Sequence, residues 1–347
     1  MREVKTVNLV LDTYGNYLGM EKGCMILRDK HRKEKRYPLF EAEIGSVVLK
    51  SGNMVSTGVL SAMAFWGIDV LVTTRNDRPI AILKNLEDDS YVKTRISQYE
   101  ALKNGKGILT AKRIVLAKAL GQNQVLSKYG LRQHDIIGIR EAIDKEESGD
   151  LASVRKRLTL IESWYSKHYF REIFQLFPQL LRPEKRHTFH AYDGINNLFN
   201  LGYELLFWKC YKALTKAHLE THLGFMHTLI QGRPSLVCDF EEIYRFLVDD
   251  FLIGYSRNNG LSPKDFTART EIFNDKKGKR IYLNKPKTRE LMKSLHEYFG
   301  SKVDIPRIGR GNSQEIESLI GEEAFLLARY FRNERRDWIP RVAKVST

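Results

Sequence analysis

Apolar and polar residues follow one period over the first quarter of the chain and another over the rest. The run TVNLVLD, the segments around Leu18 and at 25–27, then 44–49, 68–73 and 79–83 read as strands, with Gly and Asp/Asn between them as turns. One helix interrupts at about 55–66: Val55, Val59 and Met63 fall on one face, and Gly67 is placed to stop it. From about Tyr91 the spacing becomes helical, with segments near 92–104, 108–128, 150–177, 192–217, 234–253, 286–299 and 313–337. Within them, 270–273 and 280–283 flank Asn274-Asp275-Lys276-Lys277-Gly278-Lys279, the pattern of a β-hairpin with a basic tip. The expected fold class is α+β: a small β-rich N-terminal domain with one helix over 1–86, then a larger, mostly α-helical domain over 91–347. The boundary LEDDS at 86–90 is short and leaves the domains little freedom to swing. No internal repeat or low-complexity linker is visible.

Length agrees with two cores, since 347 residues exceed one domain of roughly 150. No stretch reaches the roughly 18 apolar residues of a membrane span, and the N-terminus lacks a secretory pattern, so a soluble cytoplasmic protein is expected, with no membrane partner. Cys24, Cys210 and Cys238 are too few and too scattered for a disulfide framework or a Cys-pair zinc site. The formal charge of +15 changes the picture more. Clustered Lys and Arg gain free energy by displacing counterions from phosphates, which makes nucleic acid the leading partner class. The charge gathers at 28–36, 182–186 and 276–289, and the last run holds seven basic residues and no acidic one. Each run can also be a plain solvated face.

Three positions carry candidate chemistry. Glu162, in LTLIESWYSKHYF, lies within the helical stripe of Leu158, Ile161, Tyr165 and Tyr169. A carboxylate there is at least partly buried and needs a cation, a proton or a hydrogen-bond donor; an Arg or Lys ion pair is the plain alternative to a metal. Asp239 and Glu242 stand three apart near the start of a helix opened by Gly232-Arg233-Pro234-Ser235, with Pro234 suited to its first position. Carboxylates on neighbouring faces repel unless a proton or metal lies between them, although a helix N-terminus favours acidic residues by itself. His227, in GFMHTLIQGRPS, precedes that helix. His218 and His222 in HLETH are spaced as in a zinc helix, but Leu219 stands where the general-base Glu belongs. Two separated carboxylate positions and one imidazole suit Mg²⁺ or Mn²⁺ with open positions better than a closed zinc site.

Read as a whole, AHLETHLGFMHTLIQGRPSLVCDFEEIYRFLVDD resembles the signature of the CRISPR-associated protein one family, the integrases of CRISPR spacer acquisition. Upstream, RLTLIESWYSKHYF matches the family's helix with a metal-binding Glu, and INNLFNLGYELL its Asn-rich helix. The order, spacing and β-then-α layout agree over nearly the whole chain. The resemblance implies Glu162, His227 and Glu242 as metal ligands, with Asp239 beside them in support; either of the last two carboxylates could be the third ligand. It also implies a metal-dependent DNA endonuclease and integrase that inserts foreign fragments into the CRISPR array by attack of a 3′-hydroxyl on a phosphodiester. The partners implied are double-stranded DNA (foreign fragment and CRISPR repeat), the small CRISPR-associated protein two and a second copy of the chain, with dimerisation through the N-terminal domain. Two features depart from the family pattern: Ser163 and Trp164 follow Glu162 where many relatives carry small or basic residues, and HLETH replaces a Leu-Asp-Pro-Tyr stretch. Two rivals stand beside this reading. One is a non-catalytic DNA-binding protein whose acidic residues are structural ion pairs; the other is a metal hydrolase of small phosphorylated substrates, which the spread of basic clusters disfavours.

Overall fold

The structure, a computed structural model, describes residues 7–11, 13–38, 44–66, 68–74, 79–83, 92–145, 150–188, 191–273, 276–305 and 313–345. The chain divides into two compact units, Met1–Ser90 and Tyr91–Thr347.

The first unit contains β1 (Val7–Leu11), β2 (Tyr17–Glu21), β3 (Cys24–Arg28), β4 (Glu34–Pro38), β5 (Ile44–Lys50), β6 (Met54–Val55), α1 (Thr57–Phe65), β7 (Asp69–Thr73) and β8 (Pro79–Leu83). They form two four-stranded sheets, β1-β5-β7-β8 and β4-β3-β2-β6. β5 and β7 are parallel, so the chain needs a crossover, and α1 supplies it. Ser56 caps α1 by accepting from Val59 N, and Val59 and Met63 are wholly buried with Leu18, Met25, Val47 and Val70. Two strands escaped the sequence reading. β4 is EKRYP, a polar edge strand without apolar alternation, and β6 has two residues. The proposed helix stop Gly67 and the linker at 86–90 lie outside the described residues.

The second unit is mostly helical: α2 (Val92–Glu100), α3 (Lys106–Lys128), α4 (Ile136–Asp144), α5 (Leu151–Phe174), α6 (Gly194–Lys216), α7 (Ser235–Glu241), α8 (Arg245–Asn258), α9 (Lys285–Phe299) and α10 (Ile316–Phe331). Two small ladders accompany them, β9 (Phe266–Phe273) with β10 (Lys276–Leu283), and β11 (Lys302–Asp304) with β12 (Ser313–Glu315). No described helix is long and apolar enough to cross a membrane. Side-chain caps set several boundaries: Asp150 accepts from Ser153 N at 2.7 Å, Asp193 from Asn196 N at 2.7 Å and Asn284 from Lys287 N at 3.0 Å. Glycine lets helices close up where the site is built. A Cβ on Gly121 of α3 would lie 2.3 Å from the Phe246 ring, and one on Gly202 of α6 2.7 Å from Val248.

Four differences from the pattern reading have local causes. The single helix expected at 234–253 is two, because the turn at 242–244 tightens to three-residue bonds, with Tyr244 N donating to Glu241 O at 2.9 Å and Leu247 N to Tyr244 O at 3.0 Å. Pro234 caps α7 rather than opening it. α4, nine residues, and the three-residue strands of the β11–β12 ladder are too short to show a period. The hairpin's paired strands reach further than expected, with Lys276 opposite Phe273, so that Asn274 and Asp275, which lie outside the described residues, are the two linking positions. Ile281 N donates to Tyr192 O at 3.0 Å and Asn197 Nδ2 to Ile281 O at 2.7 Å, which fastens the hairpin to the start of α6.

Candidate active site

One cleft of about 1600 Å³ opens in the helical unit, and Glu162, His227 and Glu242 all line it, with Lys118, Trp164, Arg171 and Arg233. α5 delivers Glu162 and the turn after α7 delivers Glu242. Both carboxylates reach Lys118, which projects from α3 and is 8% exposed. Its Nζ donates to Glu162 Oε1 and lies 2.8 Å from Glu242 Oε2, an ion pair without hydrogen-bond alignment, since that oxygen has no hydrogen-bond partner among the described residues. Ser166 Oγ donates to Glu162 Oε1 at 2.9 Å. Arg245, one residue into α8, donates to Glu241 and Glu242 and stacks 4.8 Å over the Tyr203 ring.

Burial works against every charge here and the partners decide the outcome. Burial would raise the Glu242 carboxyl, but the positive charges of Arg245 and Lys118 outweigh it and hold the group at about 2. For Glu241 burial wins over Arg245 and lifts the carboxyl to about 7. Burial depresses Lys118, yet the Glu242 and Glu162 charges carry it above its ordinary value.

Asp239 does different work from Glu242. It is fully buried, and its oxygens accept from the backbone N–H of Phe225, of Met226 at 2.9 Å and of His227 at 2.7 Å, and from His227 Nδ1 at 2.7 Å. With the Asp239 oxygen accepting at Nδ1, the imidazole proton sits on Nδ1 and the Nε2 lone pair is left to a ligand. The GFMH step has a physical reason. A Cβ on Gly224 would come within 2.7 Å of the Ser235 backbone, and Phe225 is buried with its ring 5.3 Å from Phe331, so His227 is swung to the cleft rim. Ser235 Oγ donates to Thr228 O at 2.9 Å and ties the loop to α7.

The donor chemistry fits a hard divalent ion: two carboxylates drawn to one shared positive charge, a buried Glu242 oxygen without a hydrogen-bond partner, and an imidazole with its lone pair set by a second carboxylate. As they stand, no three His, Cys, Asp or Glu side chains among the described residues are close enough to hold an ion. HLETH is not a zinc helix. Residues 217–222 form turns, His218 has φ of 60°, and His222 Nδ1 contacts Glu220 at 3.3 Å.

Two of the basic clusters are partly structural. Arg28 of β3 pairs with Glu34 of β4, and Arg36 pairs with Glu34 along β4 and with Glu21 of β2. Arg186 donates to Asn196 and Asn200, which is what the Asn-rich helix provides, and packs over Phe170, Phe199 and Tyr203. Along 276–289, Lys279, Lys285 and Arg289 are exposed and Lys287 pairs with Glu290, while the side chains of Lys276 and Lys277 lie outside the description. Lys118 and Arg245 were missed from sequence; a charged residue at i+4 from Ile114 in an apolar stripe is the same signal that marked Glu162.

The profile of the family described as CRISPR associated protein Cas1 matches residues 9–297, most of the chain. The chain belongs to the Cas1 family. An Archaeoglobus fulgidus protein named CRISPR-associated endonuclease Cas1 1 is 26% identical over 352 residues, covering 95% of this chain and 98% of that protein. A Korarchaeum cryptofilum protein named CRISPR-associated endonuclease Cas1 is 28% identical over 279 residues, 75% of this chain and 80% of its own length. Among solved structures, a casposase bound to integration product superposes with a TM-score of 0.75 at 18% identity, covering 95% of this chain and 92% of that one. A Cas1 protein from Thermotoga maritima gives 0.71 at 17% identity, covering 93% and 96%. At these identities the structures establish a shared fold, β-rich and then helical, as the sequence pattern led one to expect for a Cas1 family member.

Proposed function

We infer that this chain is a divalent-metal-dependent DNA endonuclease and integrase of CRISPR adaptation, working in the cytoplasm in antiviral defence. The observation that carries the reading is the meeting of Glu162 and Glu242, from separate helices, at one buried ammonium on a cleft whose rim holds His227. Family membership supports it, as do relatives named endonucleases and a fold shared with a casposase bound to integration product. Glu162, Glu242 and His227 Nε2 would hold Mg²⁺ or Mn²⁺, and Asp239 fixes the imidazole. Such an ion polarises a scissile phosphate and lowers the pKa of an attacking hydroxyl. In strand transfer the 3′ oxygen of the incoming fragment bonds to phosphorus, the host strand's 3′ oxygen leaves, and one proton passes from the first to the second. The number of phosphodiesters is unchanged, so no nucleotide cofactor is needed. With water in place of the 3′-hydroxyl the same site cuts DNA.

The partners proposed are double-stranded DNA, foreign fragment and CRISPR repeat alike, and the small Cas2 protein, in line with the shared fold of a chain in a Cas6-RT-Cas1–Cas2 complex. A homodimer through the N-terminal unit is supported by the apolar residues that unit leaves exposed, Val10, Met54, Phe65 and Ile80. Sedimentation at micromolar concentration checks this, a monomer throughout counting against it. The Lys118 ion pairs favour one rival, a DNA-binding protein with structural acidic residues. The deciding experiment offers a repeat-containing plasmid and a short duplex with Mn²⁺ or EDTA. The integrase joins them in Mn²⁺ and not in EDTA, whereas a binder holds DNA in both and alters it in neither.

A further inference from the structure

The carboxylates of the cleft are gathered around an ammonium, and the charge count of the cluster is uneven. Glu162, Glu241 and Glu242 face Lys118 and Arg245, three carboxyl groups against two cations. Glu241 Oε2 is buried without a hydrogen-bond partner among the described residues, and Glu242 Oε2 is held by its 2.8 Å contact with the Lys118 ammonium. Lys118 sits on the buried, mostly apolar face of α3, with Ile114, Val115 and Val125 and one turn before the buried Gln122. An ammonium is costly to bury there unless it serves a purpose that an apolar side chain could not.

We propose that Lys118 is an internal counter-ion for the empty state of the site, a positive charge that a divalent cation displaces as it takes Glu162 and Glu242. Charge balance favours exchange over addition. If the ammonium stayed, an incoming double charge would turn the cluster net positive; if the ammonium leaves, the remaining three carboxylates, Arg245 and the ion are neutral together. Exchange also accounts for the spacing, because the place the two carboxylates share is filled by Nζ and no three ligands converge among the described residues. Lysine suits this role, since a point charge on a flexible stem can leave without breaking a bidentate fork, and Lys118 itself lines the cleft into which it would move. The inference rests on the metal reading above and adds that empty and loaded states differ in the position of one side chain.

The test titrates the full chain with MnCl₂ by calorimetry for the wild type, Lys118→Met and Lys118→Arg, and records melting in EDTA and in Mn²⁺. Lys118→Met should melt lower than the wild type in EDTA, recover in Mn²⁺ and bind Mn²⁺ about tenfold or more tightly, because its carboxylates no longer have a competing cation. Lys118→Arg should keep the weaker affinity. Should Lys118→Met not fold, amine-selective labelling of the wild type followed by peptide mass spectrometry replaces it, and Lys118 should react several-fold faster with Mn²⁺ present. Equal or weaker Mn²⁺ binding by Lys118→Met, or labelling unchanged by Mn²⁺, overturns the exchange. If the folded wild type binds no Mn²⁺ at all, the metal site itself is wrong and the exchange falls with it.

Discussion

Two buried carboxylate sites lie close together along the chain and are satisfied in opposite ways. Asp249 on α8 is 1% exposed and accepts from the hydroxyls of Tyr169, at 2.8 Å, and Tyr203. Those donors are neutral, come from α5 and α6, and cannot leave without unpacking a helix. Burial pushes the Asp249 carboxyl up to about 6, with the hydroxyls and the Arg186 and Arg245 charges pulling the other way. Glu242, 7% exposed, has charged partners instead: Arg245 donates to its Oε1, and the Lys118 ammonium, on a flexible stem, lies 2.8 Å from its Oε2. The first arrangement locks three helices together. The second is held ready for a different partner. Burial alone therefore does not distinguish the two acids in this protein; the charge and the attachment of their donors do.

The sharpest way to break that distinction is to truncate each site. Glu162→Ala or Glu242→Ala should reduce Mn²⁺-dependent strand transfer by more than about 100-fold, beyond the usual cost of an outer partner, with DNA binding nearly intact. Melting in EDTA should fall for Glu242→Ala, because a carboxyl held at about 2 stabilises the fold at neutral pH and its loss leaves Arg245 and Lys118 each a partner short, whereas Glu162→Ala should change it less, since Lys118 keeps Glu242. A Glu162→Ala protein that melts far lower yet transfers strands fully would remove the contrast. Asp239→Asn tests the connection between the two kinds of acid. It should cost roughly 10- to 100-fold in activity through His227 and destabilise by about 2 kcal/mol through the loosened 225–227 loop. Activity untouched by this change would show that His227 needs no orienting partner.

Asp249 should answer differently. Asp249→Leu strands two tyrosine hydroxyls and should lose about 2 kcal/mol or more by urea titration, with folded molecules still active. Its pH dependence has a definite sign. A carboxyl raised from 3.8 to about 6 on folding contributes stability that is complete below about 4 and is lost as pH rises through 6. The difference in stability between wild type and Asp249→Asn should therefore move in favour of the variant across that window, by on the order of 3 kcal/mol. A flat difference would mean that Asp249 titrates normally. The smallest effect is expected at the basic hairpin. Charge reversal at Lys276, Lys277 and Lys279 should weaken binding to every DNA sequence a few-fold and reduce the slope of log K against log salt by roughly 0.9 for each phosphate no longer neutralised. An unchanged slope assigns that hairpin to plain solvation.

Periodicity made the layout of β-rich and helical halves legible because most elements are long enough to repeat it: α3, α5 and α6 each exceed twenty residues. It failed where an element was too short to show a period, as in α4, or carried no apolar stripe, as in β4. At the site, Glu162 was legible as a charge misplaced in an apolar face. The separate duties of Asp239 and Glu242 were not, since their spacing of three says nothing of the turn at 242–244 that sends one acid to the 224–227 loop and the other to Lys118. Lys118 was missed because long-range pairing leaves no trace in local spacing: 44 positions separate it from Glu162.

The Asp239 carboxylate has a consequence for how the site comes into being. Three consecutive amides, those of Phe225, Met226 and His227, end on one side chain, so these three bonds form or break together. His227 then belongs kinetically to α7 rather than to its own loop: it is in place when that helix is docked and astray when it is not. Hydrogen exchange at those three amides should proceed as one cooperative opening, with a rate that reports how often the molecule is briefly without its histidine.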